Sequence, residues 1–287
     1  MRAQRFCPPR YPAWDDISPY TRSLVLKAQQ SLPSLRNFHR GLLDAPIELT
    51  LSSPDRRART TGVLKVLERP LSQSMTEKYG PPPLVIERTV VEEDIFKRHF
   101  SDLRHVVNLT SKQFIELIEH IASSIHAEDI KVRRGFNVMT KPDSQGDHWK
   151  YLNWRLVKRE LFNLHAFIKQ SQSVNSTVFQ AAVFLGAFNC IHPLKDGNGR
   201  TSRIIFNGIL QLHTSRPAFY VPLKEFMGLS KYGFELSMRE SIIFGRWSTL
   251  LVYCSNILLI MNAAAQGGAD FDWKSNLVNY AKYISAR

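Results

Sequence analysis

The sequence predicts a mainly α fold, in which a helical bundle core carries one short β-hairpin flap and follows a proline-rich N-terminal extension. Apolar residues recur at helical spacing through most of residues 91–287. One run, residues 178–189, is apolar nearly all round and should lie at the centre of the bundle. Residues 131–147 depart from this pattern, because an extended segment is followed there by turn residues, which is typical of a hairpin.

The extension covers residues 1–90, and the sequence leaves its role open between a small helical subdomain, a partner-binding arm and a translocation segment. A helix is predicted from Ser18, a capping residue that is followed by Pro19 at the first helical position. Residues 53–62 are a polar, arginine-rich linker candidate. Residues 70–83 are so rich in proline that they predict neither a helix nor a central strand.

Residues 91–287 are expected to form the second unit, a helical domain. Its predicted helices begin at capping residues or follow from apolar periodicity. In chain order they start at Thr110 or Ser111, span residues 149–168, start at Asn175 or Ser176, span residues 204–212, start at Ser230, span residues 247–265 and start at Asp270.

The net charge of +13 indicates an acidic partner, such as nucleotide phosphates, nucleic acid, an anionic membrane or an acidic protein, or serves solubility alone. The three cysteines have no metal or redox spacing, which favours a reducing compartment. The N-terminus lacks the apolar region of a signal peptide, and residues 250–265 are interrupted by polar residues and too short to span a bilayer. We therefore expect a cytoplasmic protein, or one delivered into another cell's cytosol, with no membrane partner.

The side chains that could take part in catalysis lie in residues 190–203. Pro193 ends the preceding helix, so that His192 is presented at the mouth of a loop. The ordinary pKa of a histidine lies near neutrality, which makes His192 the obvious proton acceptor. Asp196 in a cationic setting suits a Mg²⁺ ion that bridges it to phosphate. Cys190 ends an apolar helix and is expected to be a core residue rather than a nucleophile.

The remainder of this segment predicts an anion site. Gly197 and Gly199 allow positive φ and a close approach of the backbone, which suits a nest of N–H groups. The helix that follows directs its N-terminal N–H groups and its dipole to the same place. Arg200 and Arg203 share one face of that helix and can bind phosphate oxygens in pairs. Together with the acid and the base, these residues indicate a phosphate-handling site.

The segment His192–Pro–Leu–Lys–Asp–Gly–Asn–Gly–Arg–Thr–Ser–Arg203 resembles the motif H-x-F-x-D/E-G-N-G-R-x-x-R of the Fic (filamentation induced by cAMP) family. Seven fixed polar or glycine positions match. The context fits as well, since a buried helix precedes the motif, a helix follows it and a flap candidate lies upstream. The resemblance covers roughly residues 90–265 and makes residues 91–287 a Fic-like catalytic domain.

Most such proteins are AMP transferases, so the resemblance implies Mg²⁺-dependent transfer of AMP from ATP to a serine, threonine or tyrosine hydroxyl of a target protein, with release of pyrophosphate. His192 would then be the base, Asp196 would hold Mg²⁺, Arg200 would contact the β-phosphate side and Arg203 the γ-phosphate. The anion hole would be formed by Gly197, Asn198 and Gly199. Some relatives place nucleotide contacts at the positions of Asn207 and Tyr232, a weaker inference.

The flap would dock the target protein, by resemblance, through strand addition. The predicted docking edge consists of Phe136, Asn137, Val138, Met139 and Thr140. The preceding pair, Arg133 and Arg134, is expected to be solvated, or alternatively to contact an acidic target.

Two features depart from the family pattern. The usual phenylalanine of the motif is Leu194, which should still anchor the loop in the core. Many relatives also carry an inhibitory helix with the pattern S/T-x-x-x-E-G/N, whose glutamate pairs with the second arginine. Only loose copies occur here, ending at Glu93 and Glu128. Either the protein is uninhibited in cis, or a separate antitoxin-like partner supplies the glutamate.

Two alternatives to AMP transfer stay open from the sequence. The same fold could transfer UMP, phosphocholine or a phosphate, since the motif does not determine the base of the donor. The protein could instead be a non-enzymatic basic binding module. No aromatic-interleaved basic patch or nucleic-acid motif supports binding of nucleic acid.

Overall fold

A computed structural model describes residues 3–37, 83–140, 148–214, 219–229 and 233–267 of the chain. These residues are mainly helical, as predicted. The α-helices are α1 (Pro19–Ser31), α2 (Pro83–Arg104), α3 (Ser111–His126), α4 (Trp154–Gln170), α5 (Thr177–Ile191), α6 (Asn198–Leu210), α7 (Leu223–Leu229), α8 (Gly233–Phe244) and α9 (Ser248–Gly267). The strands are β1 (Ala3–Arg5) and β2 (His148–Lys150), and short 3-10 helices lie at Trp14–Asp16, Leu32–Asn37, Val106–Asn108 and Ser171–Val174.

Helix α5 lies at the centre of the bundle. Every one of its residues except Asn189 is buried, and α1, α4, α6, α8 and α9 pack around it. This confirms the prediction made from a run that is apolar nearly all round. Because other helices pack around α5, the position of its C-terminal end is well defined, and so is the start of the loop that follows.

Helix α1 confirms the helix predicted in the N-terminal extension. The Ser18 side chain accepts a hydrogen bond from the N–H of Thr21 at 3.2 Å, and a proline stands at the first turn. Near the C-terminal end of the helix, the Gln29 side chain accepts hydrogen bonds from the N–H of Val178 and the hydroxyl of Thr177, both at 3.1 Å. The first described segment thus packs directly against the start of α5.

The predicted helix at residues 149–168 begins later than expected. Its first residues form β2, because the Trp149 carbonyl accepts a hydrogen bond from the N–H of Thr140 at 2.8 Å across the flap. Asn153 then caps α4 by accepting a hydrogen bond from the N–H of Arg155 at 3.0 Å. Helix α2, for which the sequence analysis named no starting residue, begins at Pro83, a first-turn position that tolerates proline.

Among the described residues, one helical segment, Ser248–Gln266, is long and apolar enough to cross a membrane. This segment is longer than residues 250–265, the apolar run that the sequence predicts to be too short to span a bilayer. Most of it is buried, and α9 packs on α1, α5 and α8. The structure therefore accommodates it as a core helix, as predicted. The linker candidate at residues 53–62 and the predicted helix from Asp270 lie outside the described residues.

Candidate active site at the end of helix α5

His192 stands where the sequence placed it, immediately after the last residue of α5. Its backbone is left-handed, with φ 50° and ψ 60°, and its N–H donates to the carbonyl of Phe188 at 2.9 Å. A left-handed residue at this position commonly ends a helix, although glycine or asparagine usually supplies it. Pro193 follows and cannot continue the helix. The turn therefore directs the imidazole away from the helix axis.

The imidazole of His192 lies against an aromatic ring. The Tyr151 ring stacks on it with a centroid distance of 3.7 Å and an interplanar angle of 13°. Burial lowers the pKa of His192 to about 4; the Asn189 backbone and Asp196 oppose this shift, and the Arg133 charge adds to it. The Asn189 backbone does not form a regular hydrogen bond with Nδ1, which is buried and has no such partner among the described residues. At neutral pH the imidazole is uncharged and can accept a proton.

The loop between α5 and α6 is closed by its own side chains. The Asn198 amide accepts a hydrogen bond from the N–H of Leu194 at 2.9 Å and donates to the carbonyl of the same residue at 2.9 Å. Leu194 is fully buried in the core, which confirms that leucine can anchor this loop. The Asp196 carboxylate accepts a hydrogen bond from the N–H of Gly197 at 2.6 Å. The side chain of Asn198 thus shapes the loop, while the first N–H groups of α6 are at the helix N-terminus, where the predicted anion site would lie.

His126 belongs to the site, although the sequence analysis did not identify it. It lies in the last turn of α3, and its Nε2 accepts a hydrogen bond from Arg200 Nη2 at 3.1 Å. Because a guanidinium only donates, this contact requires a neutral imidazole with its proton on Nδ1. A Cβ atom at Gly197 would lie 2.7 Å from the same Nε2. Nothing in the spacing of the motif points to a residue so far upstream.

Gly197→Ala is expected to destabilise the protein by about 2 kcal/mol or more, since φ is 81° there and the new methyl group would collide with the His126 ring. Gly135→Ala is the matched control, because its φ is 82° and no atom lies within 4 Å of the added Cβ. Urea unfolding should show a larger loss of unfolding free energy for Gly197→Ala than for Gly135→Ala. Adding His126→Ala to the Gly197→Ala variant should remove this difference. Equal losses in the two single variants would mean that the contact with His126 is unimportant.

Asp196 is the candidate metal ligand, and its side chain is 76% exposed. Its Oδ2 lies 3.7 Å from Arg200 Nη2 and 4.0 Å from His126 Nε2. The described residues contain no group of three side chains able to hold a metal ion by themselves. One exposed carboxylate suits Mg²⁺ that arrives with phosphate oxygens and water as its other ligands. The residues present therefore fit a metal carried in by a nucleotide.

Arg203 is buried and paired with a glutamate that the sequence analysis missed. Its Nε donates to Glu92 Oε2 at 2.9 Å, and its Nη2 binds Glu92 Oε1 in a second, short contact. The Tyr220 hydroxyl donates to Glu92 Oε2 at 3.3 Å. Glu92 lies on α2 and is buried as well. Its carboxylate therefore pairs with the guanidinium of Arg203, which the sequence analysis assigned to the γ-phosphate. Of the two glutamates considered from the sequence, Glu93 pairs with Lys97 at 2.8 Å instead.

The phase of α2 explains why Glu92 and not Glu93 faces the site. The buried positions of this helix include Thr89, Glu92, Phe96, Phe100 and Leu103, which lie on one side at helical spacing. The next residue along, Glu93, is rotated by about 100° and falls outside this stripe.

Asn207 is fully buried one turn beyond Arg203. Its amide donates to the carbonyls of Arg203 at 3.0 Å and Val221 at 3.2 Å, and its carbonyl accepts from the N–H of Val221 at 2.6 Å. The side chain thereby anchors the segment that carries Tyr220. Its contact with a nucleotide stays a prediction. Tyr232, the other residue proposed there, lies outside the described residues.

The flap is present, with residues 138–140 antiparallel to β2. The N–H of Tyr151 donates to the Val138 carbonyl at 2.9 Å, and Met139 forms a bridge with Lys150. Phe136 and Met139 are 41% and 51% exposed, as a docking edge would require. Docking of a target stays a prediction, and the hairpin turn at residues 141–147 lies outside the described residues.

Strand β1 was not predicted and joins the flap. It pairs in parallel with β2 on the side away from residues 138–140. The Phe6 ring lies 4.9 Å from Trp149 and 5.2 Å from Tyr151, measured between centroids. Aromatic contacts therefore run from the N-terminal segment through Tyr151 to His192.

One expectation for this region was wrong. Arg133 is 2% exposed rather than solvated, because its guanidinium binds carbonyl groups of the flap and of the motif loop. Arg134 is exposed, as predicted. Cys190 is buried, and burial raises the pKa of its thiol to about 12, which agrees with a core residue.

Comparison with known proteins finds similarity to Fic proteins. The model of the Fic/DOC family matches residues 103–210, which include the whole motif. A Fic family protein from Desulfovibrio desulfuricans G20 has a similar structure, with a TM-score of 0.55 at 14% identity over 91% of this chain and 76% of that one. A Fic domain containing signaling protein from Bacteroides thetaiotaomicron VPI-5482 aligns with a TM-score of 0.45 at 15% identity, over 87% and 99%. None of the curated proteins matches.

Proposed function

We propose that residues 103–210, which match the model of the Fic/DOC family, form a Fic domain, and that the protein is a Mg²⁺-dependent protein adenylyltransferase. The domain supports an enzyme that transfers AMP or another group onto a target. The finer assignment is supported by one observation: His192 and Asp196 lie in the loop between α5 and α6, and both arginines of the motif lie in the first two turns of α6. These are the groups that attack on an α-phosphate requires.

In the proposed reaction, a target hydroxyl oxygen attacks the α-phosphorus of ATP. The bond from that phosphorus to the bridging oxygen breaks, and pyrophosphate leaves with the bond's electron pair. His192 accepts the hydroxyl proton, since its lowered pKa keeps it neutral at pH 7. The N–H groups at the start of α6 and Arg200 would offset the charge that grows on the phosphate oxygens.

Asp196 is the residue that would hold Mg²⁺. The ion would supply charge neutralisation on the α- and β-phosphates. In the structure Asp196 Oδ2 lies 3.7 Å from Arg200 Nη2, so that the guanidinium attracts this carboxylate before a nucleotide binds.

We further propose that Glu92 restrains the enzyme in cis. Its carboxylate neutralises Arg203 and lies where the γ-phosphate would bind, so that ATP must displace it or bind in a different orientation. This makes a separate antitoxin-like inhibitor unnecessary for occupying Arg203. Such a partner would act instead by stabilising the position of α2.

The assignment is tested by incubating the protein with Mg²⁺, each nucleoside triphosphate and a cell lysate, followed by mass spectrometry. Wild type and Glu92→Gln are compared, and an AMP adduct on a hydroxyl residue, stronger in the variant, is expected. A UMP, phosphocholine or phosphate adduct would redefine the donor. No adduct from any donor, together with nucleic-acid binding that falls steeply with salt, would favour the binding module instead.

A further inference from the structure

Arg133 occupies an unusual position for a charged residue, because the hydrogen bonds of its buried guanidinium within the described part of the chain all go to backbone carbonyl groups. Nε donates to the His192 carbonyl at 2.8 Å, and Nη2 donates to that of Ile191 at 3.2 Å. Nη1 donates to the carbonyl of Phe136 at 3.3 Å, and Nη2 makes a short hydrogen bond to that of Leu152. One side chain thus joins the end of α5, the flap and the segment that leads into α4.

These carbonyl acceptors are the reason that a cation is tolerated at this depth. The last carbonyls of a helix lack intrahelical partners and carry the negative end of its dipole. Ile191 and His192 are such residues at the end of α5. No carboxylate pairs with Arg133 among the salt bridges of the described residues, and burial lowers the pKa of the guanidinium to about 10. The charge is therefore compensated by the helix end and not by an acid.

We propose that Arg133 is a positioning residue that holds His192 in its left-handed turn and links it to the flap, so that a docked target segment and the base keep a fixed relation. The inference rests on the proposed role of His192 as the base. It is supported by the backbone as well, because the N–H of Arg133 donates to the Pro193 carbonyl at 2.8 Å. The motif loop is thus bound on both sides of its left-handed residue.

The same contact has an electrostatic consequence that can be measured. Burial is the main cause of the lowered pKa of His192; the Asn189 backbone and Asp196 raise this pKa, and the Arg133 charge lowers it further. Tyr151 stacks on the ring, and partial burial raises its own pKa. Removing the Arg133 charge should therefore raise the pKa of His192 above about 4, while burial still holds it below its ordinary value of 6.5. The acid limb of the activity profile should move to higher pH with it.

The test compares Arg133→Met with Arg133→Lys, using Arg134→Met as the matched control, which removes a charge from the adjacent exposed position. The ring signal of His192, assigned by its loss in His192→Ala, is titrated by NMR in each variant. In Arg133→Met we expect a higher pKa of His192, a turnover lowered by about ten- to a hundredfold and an unchanged KM for ATP. The KM for the target should rise, because the flap loses its link. Arg134→Met should leave the pKa of His192 unchanged.

Arg133→Lys separates charge from geometry and also covers the case in which the methionine variant does not fold. Lysine keeps the charge but cannot bind four carbonyls, so the pKa of His192 should stay low while turnover falls. The positioning role is wrong if a folded Arg133→Met variant has the same pKa of His192 and the same turnover as wild type. It is also wrong if Arg133→Lys keeps full turnover. The NMR titration needs no transfer activity, so it decides on Arg133 even if the proposed reaction fails.

Discussion

Alanine at position 192 is expected to reduce AMP transfer by about 10²–10⁴-fold, the usual contribution of a general base. No other described side chain near the motif can replace it, because His126 accepts a hydrogen bond from Arg200 and lies beside Asp196. The fold should persist, since His192 caps the helix through its backbone N–H. Alanine adopts the left-handed conformation less readily than histidine, so a small loss of stability should accompany the substitution.

The measurement is the initial rate of target labelling, together with the affinity for ATP and the thermal midpoint. His213→Ala is the matched control, because it removes an exposed imidazole away from the motif. The affinity for ATP should change little in His192→Ala, since the role assigned to His192 concerns the target hydroxyl. A variant that labels targets as fast as wild type would mean that another group takes the proton.

The parts of the fold that depend on local sequence were predictable. The start of α1 at Ser18, the Thr110 cap of α3 and the burial of α5 follow from capping residues and apolar spacing within about one helix. The loop of the motif was predictable for the same reason, since proline and glycine constrain it directly. The parallel pairing of β1 with β2 was not, because it joins segments far apart in the chain.

The residues missed at the site are all supplied by distant elements. His126 comes from α3 and Arg133 from the flap, and neither is distinguished in the sequence from an ordinary surface residue. Glu92 could have been found: the stripe of Thr89 and Phe96 predicts which side of α2 is buried, and Glu92 falls on it. A charged residue on a buried stripe requires a partner of opposite charge. Matching the inhibitory pattern by letters selected Glu93, one residue out of phase.

Glu92→Gln is expected to raise transfer activity by at least about tenfold while lowering stability. The substitution keeps the shape of the side chain but removes the negative charge that pairs with the buried Arg203. Breaking one side of a buried ion pair costs about 3–5 kcal/mol. A phosphate of ATP can then supply the negative charge that Glu92 provided, and ATP no longer competes with a carboxylate for Arg203. Binding of ATP should therefore tighten and should restore much of the lost stability.

Thermal unfolding with and without Mg²⁺-ATP measures this directly. Glu92→Gln should melt below wild type without nucleotide and should gain more from ATP than wild type does. Glu93→Gln is the matched control, since it removes the adjacent charge from an exposed pair with Lys97 and should change neither quantity by more than a small amount. If Glu92→Gln is less stable but gains no more from ATP than wild type, the pair with Arg203 is purely structural. The enzyme would then be restrained elsewhere, and a separate inhibitory partner would become the better explanation.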